Sequence, residues 1–427
     1  MTFDLDTIRG KFPALTLTDN GIPRVYLDNP AGTQVPQSVV DAMSRHMLET
    51  NANVEGPFGN SASATAIVTE LRHAMADLLN AASPNEIIFG QNMTTLTMHL
   101  SRSISHLLRP GDEIVLTRME HDGNISPWLL MARDLDLKVR WVPFNTETYQ
   151  FDDDAFDDVL SEKTKLVCIG AANNLIGTIN DVKSIAGKAK AIGAMTFVDA
   201  VQSTPHVSID VQDLGCDFLA CSAYKFCGPH QGILWGRHDL LERLDPYKVR
   251  PATDEVPGCF ETGTPSIEGM AGTTAAVDYF AWIGETMAGD YQGRYPAFEG
   301  RRKYVHAAMD CLFGYEATLA SHLINGLQQL AGVQVHGITD PDAMDRRVPT
   351  VAFTVDGISP ELIATELGAR NIFVWFGDNY AIEVSRHMGV FDSGGVVRVG
   401  PVHYNSKAEV DLALNALSDI LPSAAVA

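Results

Sequence analysis

Seven short apolar runs, separated by helix-patterned stretches or glycine-bearing turns, restrict the possible folds of this chain more than any other feature. They lie at residues 86–89, 113–116, 139–142, 165–169, 196–198, 217–220 and 232–235. Apolar runs this short, bounded by turns, suit strands buried on both faces. Before and between them, residues 38–49, 64–79, 95–108, 125–135 and 182–192 carry apolar side chains at helical spacing. The alternation predicts an α/β fold, with a mostly parallel seven-stranded sheet covered by helices on both faces. In such a sheet ligands collect beyond the C-terminal ends of the strands.

Two of those strand ends carry charge. The run 196–198 ends in Asp199, and the run 217–220 leads through Ser222 to Lys225. Singly, each is an ordinary charge at a strand end. Together they suit pyridoxal 5'-phosphate (PLP), which requires an amine to condense with its aldehyde. It also requires a carboxylate to keep its ring nitrogen protonated, so that the ring withdraws electrons. The segment Gly90-Gln-Asn-Met-Thr-Thr95 follows one predicted strand and opens a helix. Backbone N–H groups in that setting bind phosphate, although Asn92 or Thr94 acting as a plain N-cap gives the same pattern.

Tyr26-Leu-Asp-Asn-Pro-Ala-Gly32, Glu120-His-Asp-Gly-Asn124, Asn174-Leu-Ile-Gly-Thr178, Asp199-Ala-Val-Gln202, Ser222-Ala-Tyr-Lys225 and Phe260-Glu-Thr-Gly-Thr264 occur in this order. The chain therefore resembles the class V aminotransferases, cysteine desulfurase-like branch, from about residue 24 to residue 420. The resemblance implies PLP fold type I, with PLP as cofactor. It implies an N-terminal arm (1–23), a PLP-binding large domain (24–295) and a small α+β domain (296–427). In that tail, strands are expected at 333–335, 350–354, 372–375 and 395–399, and helices at 360–370 and 408–421.

The resemblance also distributes roles. Lys225 holds the cofactor covalently, Asp199 pairs with the ring nitrogen, and His121 stacks on the ring and can shuttle protons. Met93 by its N–H, Thr94, Ser222 and Tyr224 face the phosphate. Many relatives carry histidine where Tyr224 stands, and a phenol cannot become cationic. Gln202 and Asn174 lie near the phenolic oxygen, and Asn174 also meets substrate. Arg398 grips the substrate carboxylate through its planar fork. Thr264 reaches the phosphate of a neighbouring subunit, which implies a homodimer with shared sites. His206 reads equally as support for Asp199 or as a structural residue.

The chain departs from the desulfurases at a decisive place. Their chemistry needs a thiolate on a small-domain loop before the arginine, whereas Phe373-Val-Trp-Phe-Gly-Asp-Asn-Tyr380-Ala-Ile-Glu383 has none, and no cysteine follows Cys311. Glu55 and Gly56 also stand where basic residues are usual. Phe58, Trp375, Phe376, Asn379 and Tyr380 suggest a substrate without a strongly charged side chain. The expectation is a PLP-dependent transferase or lyase acting at the α-carbon of a free amino acid, with class V transamination placed first. The alternatives are a C–S or other β-eliminating lyase, an amino-acid epimerase and a non-catalytic PLP-binding regulator.

Composition limits the partners. The formal net charge of −22 disfavours nucleic acid and anionic membranes, which attract positive surfaces. The densest acidic run, Asp152-Asp-Asp154, reads as a solvated helix start and not as a metal site, since it lacks the spacing of a calcium loop. Six scattered cysteines without a CxxC pair, no leader pattern and no run of eighteen apolar residues predict a reduced, cytoplasmic protein.

Overall fold

The computed structural model describes residues 3–424; the ends of the expected arm and tail (1–2 and 425–427) lie outside the described residues. The N-terminal arm holds Leu5–Arg9 (α1) and a hairpin of Thr18–Asp19 (β1) and Ile22–Pro23 (β2). The hairpin turns at Asn20 and Gly21, both at positive φ, where Asn-Gly is the least strained pair. Ile8 and Phe12 are fully buried in the large core.

Val25–Tyr26 (β3) comes next, and all seven foreseen strands then appear: Ile87–Gly90 (β4), Glu113–Thr117 (β5), Lys138–Val142 (β6), Thr164–Gly170 (β7), Met195–Asp199 (β8), Phe218–Ser222 (β9) and Gly232–Gly236 (β10). Their spatial order is β4-β10-β9-β8-β7-β5-β6, with β10 antiparallel to its two neighbours and the other pairs parallel. The large unit's helices include Gln37–Arg45 (α2), Gly59–Leu79 (α3), Met93–Ser105 (α4), Ser126–Leu135 (α5), Val182–Ala191 (α6), Val211–Leu214 (α7) and His238–Leu241 (α8). One sheet face packs on Leu71 and Met75 of α3 and Ile185 of α6, the other on Leu100 of α4 and Trp128 of α5. Register fixes the site edge: Gly232 pairs with both Gly90 and Ser222, and Asp199 pairs with both Gly170 and Ala220.

Ile267–Thr286 (α9) was not foreseen. Its less buried face, with Ala271, Ala275 and Trp282, is nearly as apolar as its buried one, so no apolar stripe marks it. It precedes Gly289–Gln292 (α10) and Gly300–Leu327 (α11), and crosses α11 so closely that a Cβ on Gly284 would lie 1.8 Å from the Tyr304 carbonyl oxygen. The long helix α11 spans both units, with Val305 and Leu312 in the large core and Leu323 and Leu327 in the small one.

The small unit contains Val333–His336 (β11), Val351–Val355 (β12), Pro360–Gly368 (α12), Ile372–Phe373 (β13), Trp375–Gly377 (β14), Ile382–His387 (α13), Val396–Val399 (β15) and Lys407–Ala424 (α14). Its antiparallel sheet runs β11-β12-β15-β14. The stretch 372–375, expected as one strand, is split: β14 joins this sheet, whereas β13 pairs in parallel with β3. Val25 and Leu27, placed at the start of the large domain by the sequence, therefore lie in the small unit's core. Asp152-Asp-Asp154 opens turns rather than a helix. Among the described residues, no helix is long and apolar enough to cross a membrane.

Candidate active site

A cavity of about 570 Å³ opens at the strand edge defined by Gly170, Asp199 and Ser222. It gathers Met93, Thr94, His121, Asn174, Asp199, Gln202, Ser222, Tyr224 and Lys225; of the expected site residues, Thr264 and Arg398 do not line it. A larger groove of about 860 Å³ lies on α2, α3 and α9, but it lacks the lysine–aspartate pair. The smaller cavity is therefore the candidate active site.

Lys225 ends a short turn after β9, and its Nζ donates to the Pro30 carbonyl and lies 5.0 Å from the centre of the Tyr224 ring. Burial, assisted by Arg398, lowers the amine to about 7. Asp199 Oδ1 accepts from the Val201 N–H at 2.9 Å. Burial raises this carboxyl to about 6, against the pull of the Val201 N–H and Lys225. A buried amine that is largely neutral just above pH 7 is a nucleophile and a base.

The N-cap reading of the 90–95 loop holds, and the loop also faces the cavity. Asn92 caps α4, its Oδ1 accepting from the Thr95 N–H at 2.9 Å, and Thr94 lines the cavity. The Met93 N–H, however, donates to Ser222 Oγ at 3.0 Å, so it is already engaged within the chain. The loop lies flush on its surroundings. A Cβ on Gly232 would come within 2.5 Å of the Asn92 backbone, and one on Gly123 within 2.9 Å of both Thr94 Oγ1 and His121 Nδ1.

His121 Nδ1 accepts from the Gly123 N–H at 2.9 Å, which fixes the ring and leaves the proton on its other nitrogen. Burial, then the positive charges of Lys225 and Arg398, push its pKa down to about 4. Glu120, unassigned in the sequence reading, sits under this wall. It accepts from the Thr117 hydroxyl, the Gly170 N–H and Asn124 Nδ2 at 2.6, 2.9 and 2.8 Å. Burial still raises it to about 8.

Asn174 Nδ2 donates to the Asn379 carbonyl at 2.8 Å. Arg398 stands behind Asn174, donating to its carbonyl and to Asp28 Oδ1, each at 3.2 Å, while its Nε has no partner. Gln202 Nε2 donates to Thr350 Oγ1 at 2.9 Å. Asn174 Oδ1 and Gln202 Oε1 are buried acceptors without a donor, on residues that line the cavity. Buried polar atoms in folded proteins seldom stay unpaired, so the cavity suits a polar ligand carrying N–H or O–H groups. The engaged aspartate, the near-neutral lysine and these acceptors together fit PLP.

The segment expected to carry a thiol in a desulfurase is a pinned turn. Asn379 and Tyr380 both adopt positive φ (53° and 58°), and the Tyr380 carbonyl accepts from the Asp122 N–H at 2.7 Å. The Tyr380 ring stacks on His121, 5.6 Å between centres and 19° between planes, yet remains 71% exposed. Arg118 pairs with Glu383 just beyond the turn. Phe58 and Trp375, expected near the substrate, are exposed and do not line the cavity.

His206 serves a structural network instead of Asp199: its Nδ1 bonds Glu316 Oε2 at 2.7 Å, and Glu316 also accepts from the His403 N–H at 2.9 Å. Thr264 is exposed. Its neighbour Glu261 anchors the loop by accepting from the Phe89 N–H at 3.0 Å and pairing with Arg72 at 2.9 Å. All six cysteines are buried, and burial drives Cys227 up to about 12. The sequence reading missed Asp28, Pro30, Glu120 and His230. The first three lie inside quoted motifs and were detectable by position; His230, five residues beyond the lysine, had no such signal.

Comparison with known proteins points to one family. The profile of the aminotransferase class-V family matches residues 25–295 and 303–413. A probable cysteine desulfurase of Synechocystis is 33% identical over 96% of this chain and 94% of its own length. A cysteine desulfurase of Pectobacterium carotovorum is 30% identical over 96% of each chain. The solved structure of the cysteine desulfurase from Thermococcus onnurineus superposes with a TM-score of 0.85 at 28% identity, covering 98% of each chain.

Proposed function

The chain belongs to the aminotransferase class-V family, and from that premise we propose that it is a C–S lyase, eliminating sulfur from a cysteine-type amino acid without a protein persulfide. The family is PLP-dependent, so this is a PLP enzyme of fold type I. The relatives favour the desulfurase-like alternative over the transamination that the sequence reading placed first. One observation carries the choice of elimination: the turn at 378–380 has no thiol and is hydrogen-bonded onto the cavity wall, while every cysteine is buried.

Bound there, PLP supplies the electron sink that makes loss of the substrate's α-proton feasible. Lys225 would accept that proton, since its buried amine is largely neutral just above pH 7. Asp199 would hold the ring nitrogen in its protonated form. His121 would cover the ring face, and its outer face is already covered by Tyr380. Thr94, Ser222 and Tyr224 would contact the phosphate, with the Met93 N–H acting through Ser222 rather than directly. Gln202 and Asn174 would meet the polar edge. Arg398 would receive the carboxylate through its unpartnered Nε, with Asp28 holding the fork in place. The balance is cysteine plus water giving pyruvate, ammonia and sulfide.

Product analysis with L-cysteine tests this reading. Sulfide, pyruvate and ammonia should appear in equal amounts, and the protein mass should stay unchanged during turnover. Alanine with stoichiometric protein-bound sulfur would establish a desulfurase with a relocated nucleophile, and keto acid made only with an amino acceptor would restore transamination.

The site is proposed to be completed by a second copy of the chain, through Thr264. Support comes from the exposure of Thr264 and from the unpaired apolar side chains Met47, Leu48 (84% exposed) and Phe58 on the same unit. Sedimentation should therefore report twice the 46.4 kDa chain mass. A fully active particle of single-chain mass would exclude the shared site.

A further inference from the structure

The charges lining the cavity do not balance those of a bound cofactor. A phosphate monoester carries roughly −1.5 to −2 near neutral pH, Asp199 would be taken up by the ring nitrogen, and the protein as a whole has a formal net charge of −22. Three lining side chains can become cationic: Lys225, His121 and His230. Lys225 is committed to the cofactor's aldehyde. His121 accepts a hydrogen bond at Nδ1, as a neutral imidazole does. Arg398 lies outside the lining and is paired with Asp28. His230 remains.

Its position suits the task. Gly232 abuts the Asn92 backbone, which brings the 229–232 segment beside the 92–95 loop. Gln231 fixes the backbone there, with its Nε2 donating to the Gly90 carbonyl at 2.6 Å and its own carbonyl accepting from the Ala223 N–H at 2.8 Å. The His230 ring is exposed at the cavity mouth and stacks on the Tyr224 ring, 4.9 Å between centres and 14° between planes. The Tyr224 phenol can donate a hydrogen bond but cannot carry positive charge, whereas an imidazole can do both.

We propose that His230 is a cofactor-binding residue, forming with Tyr224 a stacked pair that holds the phosphate: Tyr224 supplies the hydroxyl and His230 the positive charge. The inference rests on the cofactor assignment and is independent of which reaction follows.

Two ligands that differ only in the phosphate test it. Equilibrium dissociation constants of the apoprotein for PLP and for pyridoxal would be measured by intrinsic fluorescence, for wild type, His230→Ala and His230→Arg. His230→Ala should weaken PLP about 10- to 100-fold, the loss expected for one charge-assisted hydrogen bond, and leave pyridoxal unchanged. His230→Arg should recover most of the PLP affinity. Because the ring is exposed, neither variant threatens the core. PLP affinity within about twofold of wild type, or equal losses for both ligands, would overturn the proposal. A wild-type protein that binds neither ligand would instead overturn the cofactor assignment.

Discussion

Protein carrying Lys225→Ala should stay colourless when mixed with PLP, and its amino-acid turnover should fall by about 10³-fold or more, since positioned proton transfer alone contributes about 10²–10⁴. The substitution removes the one amine that projects into the cavity from the end of β9. Wild-type protein supplies a second readout. Burial disfavours the ammonium form and brings the amine from its ordinary 10.5 to about 7. The nucleophilic form is therefore scarce below that pH and dominant above it. Covalent uptake of the cofactor by apoprotein, followed by visible absorbance, should accelerate as pH rises through about 7 and then level off. Acceleration continuing up to pH 10 would mean that the lysine is not desolvated as the structure places it.

Asp199→Asn should separate binding from chemistry. The amide retains the shape of the side chain and the bond from the Val201 N–H, so coloured protein should still form. What it would lose is the negative charge proposed to face the ring nitrogen, and a preorganised charge of this kind is worth about 10²–10³ in turnover. In wild type the carboxyl sits at about 6 because burial opposes its ionisation, so a cationic ring nitrogen placed against it would hold it ionised. Turnover within about tenfold of wild type would mean that another acid protonates the ring; Glu120, on the adjoining wall, is then the residue to substitute.

Periodicity made the large unit legible because its strands are buried on both faces and most of its helices on only one. It failed at α9, whose less buried face carries Ala271, Ala275 and Trp282 and so gives little polar contrast. It failed again at 372–375, where one apolar run serves two sheets, a division that depends on a partner at the far end of the chain. Motifs placed Lys225, Asp199 and His121 in one cavity because each sits at a strand end or just beyond one. They were silent about relations between motifs: the pairing of Arg398 with Asp28, the Tyr380 ring over His121, and the diversion of His206 to Glu316. Such contacts are set by tertiary packing, which spacing along the chain does not encode.

The pairing of Val25–Tyr26 with Ile372–Phe373 has a bearing on how the protein is made. The ribosome releases the first of these strands about 350 residues before the second. For most of that interval Val25 and Leu27 belong to a core whose other walls, from Leu319 onward, have not been synthesised. The small unit is thus assembled from segments about 350 residues apart, and it cannot mature until the later one has been synthesised. Contacts of such long sequence separation slow folding. The central sheet can therefore form while this seam is still to be closed.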